Sequence, residues 1–191
     1  ICFERILPSG FEAAGTTFWP PGSTLRIAFL DGDPVVHRNV ERTARTWLRY
    51  ANLHFDFLPT PDPMAHIRIS FQGTGSWSAI GLDALRSDFY LPGQPTMNYR
   101  WLTPESTLDE YYVVLHEFGH ALGLVHEHQS PASGLNWDRA AVIEDLSGYP
   151  DYWSVETIEH NVLNKYGSGT VTQYTAFDPA SIMVYSIPST W

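Results

Sequence analysis

Along the first 125 residues the apolar positions change period repeatedly, and each change marks an element. Leu25-Arg26-Ile27-Ala28-Phe29-Leu30 reads as a strand. Val36, Val40, Ala44, Trp47, Leu48 and Ala51 then share one face at helical spacing, which predicts a long amphipathic helix. Asp33-Pro34 starts it: the Asp carboxylate accepts from free amides of the first turn, and proline there has no amide to satisfy. Leu53 to Leu58 alternates as a strand until Pro59 to Pro63 breaks it. In His66 to Phe71 the residues Ile67, Ile69 and Phe71 again share one face. After the flexible corner at Gly73 and Gly75, Trp77 to Leu82 and Thr96 to Trp101 predict a fourth and a fifth strand. Thr107 and Glu110 stand at capping-box spacing, which predicts a helix running to about Leu122. Beyond it the strand signals thin out, and Asp138–Leu146 and Ser154–Asn164 read as short helices.

This order predicts an α+β fold: a twisted mixed sheet of about five strands with helices on one side, followed by a looser C-terminal half. The 191 residues suit a single domain with a proper core, and 43% hydrophobic against 17% charged residues marks a globular chain. A net charge of −10 argues against nucleic acid and against anionic membrane surfaces as partners. No apolar run approaches the roughly 20 residues that span a bilayer. The single cysteine, Cys2, excludes an internal disulfide. The start Ile1-Cys2-Phe3-Glu4-Arg5 lacks a signal-peptide pattern, so a processed or trimmed product is expected.

The chemistry concentrates in His116-Glu117-Phe118-Gly119-His120-Ala121-Leu122-Gly123-Leu124-Val125-His126. Residues four apart share a helix face, so His116 and His120 present two imidazoles to one ion. Glu117 is placed to reach a water on that ion without ligating it. Gly123 can take a left-handed conformation that ends the helix and returns the chain, bringing His126 in as third ligand. Three imidazoles suit one zinc ion and leave its fourth position open, the mark of a catalytic rather than a structural site. Asp31-Gly32-Asp33 lacks the spacing of a calcium loop and reads as a turn with an N-cap, so calcium is not expected.

His-Glu-x-x-His-x-x-Gly-x-x-His resembles the metzincin metalloprotease motif, and Glu127 after the third histidine is its astacin form. Ser181-Ile182-Met183-Val184-Tyr185 resembles the astacin Met-turn, and Gly75-Ser76-Trp77-Ser78-Ala79-Ile80-Gly81 resembles a stretch that astacins place ahead of the active-site helix. The chain departs from the family in its lone cysteine, in the continuation His128-Gln129-Ser130-Pro131, in Val184 where many relatives carry His, and in ending six residues after Tyr185. The resemblance therefore implies a divergent, microbial astacin-like member, trimmed at its C-terminus.

It also implies a single catalytic domain, with an N-terminal arm 1–22, an upper subdomain 23–126 and a lower subdomain 127–191. The implied activity is a secreted zinc endopeptidase acting on proteins or peptides, with Glu117 as base. Tyr185 either steadies the oxyanion or packs beneath the Met-turn, and Met183 supports the site. Trp77, Ser78, Ala79 and Ile80 either form the edge strand that binds extended substrate or an ordinary core strand. Glu127 is either a buried anchor for the mature N-terminus or a nearby polar group, as the resemblance implies, or an ordinary solvated carboxylate. His128 does not have the third ligand's spacing, and His37, His54, His66 and His160 read as surface or satisfied polar residues. Water, Tyr185 or a Cys2 thiolate is left as the occupant of the fourth position, the last making a latent proenzyme. A non-catalytic zinc-containing binding module is the other alternative. The oligomeric state is left open.

Overall fold

A computed structural model describes residues 18–167 and 174–191, so the expectations for Cys2 and for residues 1–17 of the arm lie outside the described residues. The described chain falls into two compact units, 18–124 and 125–191.

The first unit is built on five strands: β1 (Thr24–Phe29), β2 (His54–Phe57), β3 (Ile67–Ser70), β4 (Ser76–Ser78) and β5 (Met97–Tyr99). They run in the order β2-β1-β3-β5-β4. Every pairing is parallel except β4 with β5, so an antiparallel strand closes one edge of a mixed sheet. Leu25, Ile27, Ile67, Ile69, Met97 and Tyr99 are fully buried, as strands covered by helices require.

Helix α1 (Pro34–Ala44) begins where the sequence indicates, with Asp33 Oδ1 accepting from the Val35 amide at 2.7 Å. Asp31 ties the preceding turn to β3: its carboxylate accepts from Ser70 Oγ at 2.7 Å and from the Phe71 amide at 2.8 Å. The α-helical winding stops at Ala44, short of the predicted Ala51. Residues Arg45–Arg49 tighten into a 3₁₀ turn, and from it Trp47 Nε1 reaches the Leu115 carbonyl at 2.9 Å.

The predicted fourth strand is also shorter than its apolar pattern. Gly81 leaves extended geometry at φ = 50°, and Gly81–Leu85 coil into a second 3₁₀ turn. The capping box does form, with the Thr107 amide donating to Glu110 Oε2 at 2.6 Å, yet regular helix starts only at Tyr112. Between them the Tyr111 and Tyr112 amides bond three residues back, to the Leu108 and Asp109 carbonyls, so the chain turns more tightly, with Tyr111 buried and Leu108 exposed.

Helix α2 (Tyr112–Leu122) is buried along most of its length. Phe118 packs against Phe55 and Phe57, with ring centroids 5.6 and 6.4 Å away. Indole donors hold the helix as well: Trp47 at Leu115, and Trp19 Nε1 on the Ala121 carbonyl at 2.8 Å. The second bond satisfies one of the carbonyls that a helix end leaves without an internal partner.

In the second unit no strand forms among the described residues. Helix α3 (Arg139–Ser147) is capped by Asp138, whose carboxylate accepts from the Ala140 and Ala141 amides. Helix α4 (Val155–Ile158) is capped by Ser154 and runs directly into a π-helical turn, Glu159–Leu163.

Candidate metal centre

The geometry of the site begins at the C-terminus of α2. Gly123 holds φ = 108°. Its amide donates to the His120 carbonyl at 2.8 Å and the Leu124 amide donates to the Gly119 carbonyl at 3.0 Å, the paired bonds of a Schellman turn. That turn delivers the Leu124 carbonyl to His120 Nδ1, 2.8 Å away. A carbonyl only accepts, so the His120 proton sits on Nδ1 and the Nε2 lone pair faces away from it.

One turn earlier, His116 presents its Nε2 at 3.2 Å from His120 Nε2, with the rings nearly perpendicular. This separation is a direct test of fit. Two Zn–N bonds of 2.0–2.1 Å at a tetrahedral angle place the nitrogens about 3.3 Å apart. His126 lies beyond the turn with its Nδ1 at 3.2 Å from Gln129 Oε1. One nitrogen from each of His116, His120 and His126 lies within 4.8 Å of the others, and all three residues are buried. These donors fit a zinc ion. Glu117, next to His116 in α2, is 0% exposed.

In the second unit, the Glu127 amide donates to the Met183 carbonyl at 2.9 Å and Glu127 Oε1 accepts from the Asp178 amide at 3.0 Å. The carboxylate thus ties down a backbone amide. Met183 is buried, and the Val184 amide closes a turn on the Ser181 carbonyl. The turn places the Tyr185 ring 4.5 Å from the rings of both His126 and His128. His128 is fully buried, with its Nε2 at 2.9 Å from the Asn161 carbonyl, and the three-histidine group does not include it.

Trp77, Ser78 and Ala79 are buried residues of β4 and the stretch after it, at the edge of the sheet, and Ile80 is half-buried. His37, read as a surface or satisfied residue, stacks on Phe29 at 4.0 Å and holds the Asp31 carbonyl through Nε2. His66 Nδ1 accepts from the Arg26 amide at 3.2 Å. Trp47 stands on the predicted helical face and Gln129 in the divergent continuation, but neither spacing nor motif indicates the long-range bonds of Trp19 to Ala121, of Trp47 to Leu115 or of Gln129 to His160 and Asn164.

No protein-family model matches the chain, and no curated protein sequence matches it. Solved structures do. One structure of myroilysin shares 38% identity over 93% of this chain and 84% of its own, with a TM-score of 0.86. A second myroilysin structure shares 36% identity over 100% of this chain and 79% of its own, with a TM-score of 0.70. High choriolytic enzyme 1, a hatching-enzyme zinc protease from the medaka fish Oryzias latipes, shares the fold at 17% identity. That match covers 95% of this chain and 78% of the fish protein, with a TM-score of 0.57.

Proposed function

This chain belongs to the astacin-like metzincins, a family of zinc metalloendopeptidases, and we propose that it hydrolyses peptide bonds in proteins with Glu117 as its general base. The observation that carries the proposal is the group of three imidazole nitrogens, within 4.8 Å of one another, adjoining a fully buried carboxylate in the sequence.

His116, His120 and His126 hold the ion in this reading. Zinc bound there supplies Lewis acidity, lowering the pKa of water toward about 7 and polarising the scissile carbonyl. Glu117 takes a proton from the attacking water onto a carboxylate oxygen and delivers it to the leaving amine nitrogen, so one group serves as base and then as acid. The Tyr185 hydroxyl donates to the developing oxyanion. Met183 supports this arrangement through its turn, which seats Tyr185 beside His126. The sheet edge at Trp77–Ile80 takes an extended substrate segment by strand addition. Export from the cell belongs to the same reading and rests on the family resemblance; fractionating the producing cells tests it.

Zinc analysis and casein hydrolysis test the assignment together. Glu117→Ala is expected to keep the wild-type zinc content while hydrolysis falls by about 10²–10⁴-fold or more. Undiminished hydrolysis by Glu117→Ala would remove Glu117 from the mechanism. A wild-type protein whose activity survives complete zinc removal would remove the zinc reading.

A further inference from the structure

Helix α4 ends in a π-helical turn, closed by the Asn164 amide donating to the Glu159 carbonyl at 2.9 Å. The last carbonyls of a helix lack intrahelical partners and must find others. Here they meet the two residues that follow Glu127. The His160 and Asn164 carbonyls accept from Gln129 Nε2, at 2.6 and 2.9 Å, and the Asn161 carbonyl accepts from His128 Nε2 at 2.9 Å.

Both N–H bonds of the Gln129 amide are therefore committed to carbonyl oxygens. Exchanging its N and O atoms would set Oε1 against two other acceptors, so the amide orientation is fixed. Oε1 must face His126, whose Nδ1 lies 3.2 Å away. An amide oxygen only accepts, so Nδ1 must carry the imidazole proton, and the lone pair falls on Nε2.

We propose that Gln129, oriented by the carbonyls of the π-helical turn, is the positioning residue that assigns the metal-binding nitrogen of His126. The inference rests on the zinc reading above but concerns a residue outside the three-histidine motif. His120 receives the same instruction from a backbone carbonyl, that of Leu124. His126 receives it from a side chain, which makes it open to mutation. A partner of this kind on a ligating histidine typically sets metal affinity by about 10–100-fold.

Two measurements test this. In the zinc-free wild-type protein, two-bond proton–nitrogen NMR of His126 is expected to show the Nδ1–H tautomer. Gln129→Met keeps the length and apolar volume of the side chain but removes the amide. Competition against a chromophoric chelator, run where the zinc-free variant is folded, is expected to show zinc binding weakened about 10–100-fold, beside a lowered thermal midpoint because two carbonyls lose this donor. The Nε2–H tautomer in the wild type, or zinc affinity of Gln129→Met within about twofold of wild type, overturns the inference. If Gln129→Met does not fold, the wild-type tautomer decides alone. Wild-type protein that binds no zinc overturns the proposed function and this inference together; wild-type binding with an unaffected Gln129→Met overturns the inference only.

Discussion

At Gly123 a Cβ would stand 2.8 Å from Phe18 Cδ1, on a backbone already at φ = 108°. Replacement by alanine meets both a left-handed backbone penalty and a clash, so Gly123→Ala should cost about 1–3 kcal/mol of stability. Its effect on the metal follows from the Schellman turn. Once the turn relaxes, the Leu124 carbonyl leaves His120 Nδ1 and the ring loses its fixed tautomer. Urea unfolding of the zinc-free protein and zinc competition should both report the change, and an unchanged urea midpoint would show that the turn has another way to form. The roles of Gly123 and Gln129 differ in how far sequence exposes them. A glycine between two regularly spaced histidines is visible locally, because only a chain reversal makes that spacing useful. Gln129 acts through carbonyls 31 and 35 residues away, and no local pattern announces them.

Among the elements, α2 depends most on a single side chain. Phe118 is fully buried against Phe55 and Phe57 on the face that turns the helix toward the sheet. Phe118→Ala should destabilise the protein by about 3–5 kcal/mol, measured by denaturant unfolding. A loss below about 1 kcal/mol would mean the helix is held chiefly by its indole hydrogen bonds. The strands and α1 were legible because periodicity and the Asp33-Pro34 cap point the same way. Boundaries were less legible. Apolar spacing hardly separates an α-helix from a 3₁₀ turn over five residues, so Arg45–Arg49 read as more helix. The capping box at Thr107 and Glu110 formed without starting regular helix, because the turn after it closes on bonds three residues back and buries Tyr111 before α2 begins. The fourth strand looked longer because Ile80 and Leu82 continue the apolar run past a glycine whose positive φ breaks it.

For the molecule as a whole, acid should act through histidines held neutral by the fold. Burial, with the Arg26 charge adding to it, pushes His66 below its ordinary value of about 6.5. Burial also lowers His160, partly offset by Glu156. Their folded pKa values lie below the unfolded ones, so the unfolded chain binds protons first as pH falls. Stability from these two residues is therefore fully present above about pH 6.5 and is lost as pH drops from there through the folded values. His66 adds a structural reason, since protonating Nδ1 would break its bond from the Arg26 amide. Urea midpoints between pH 8 and pH 5 should fall more steeply for wild type than for His66→Gln. Parallel curves would place the acid sensitivity elsewhere.

Losing Val162 or Leu163 would return the segment from π-helical to α-helical winding. Each residue of an α-helix turns the chain by about 100°, so the Asn164 carbonyl would rotate away from Gln129 while the His160 carbonyl, nearer the start, moved less. The amide would keep one acceptor and lose the other. What this turn demands of the sequence is therefore its residue count more than its side chains, and a one-residue deletion far from the histidines in sequence would reach them through Gln129.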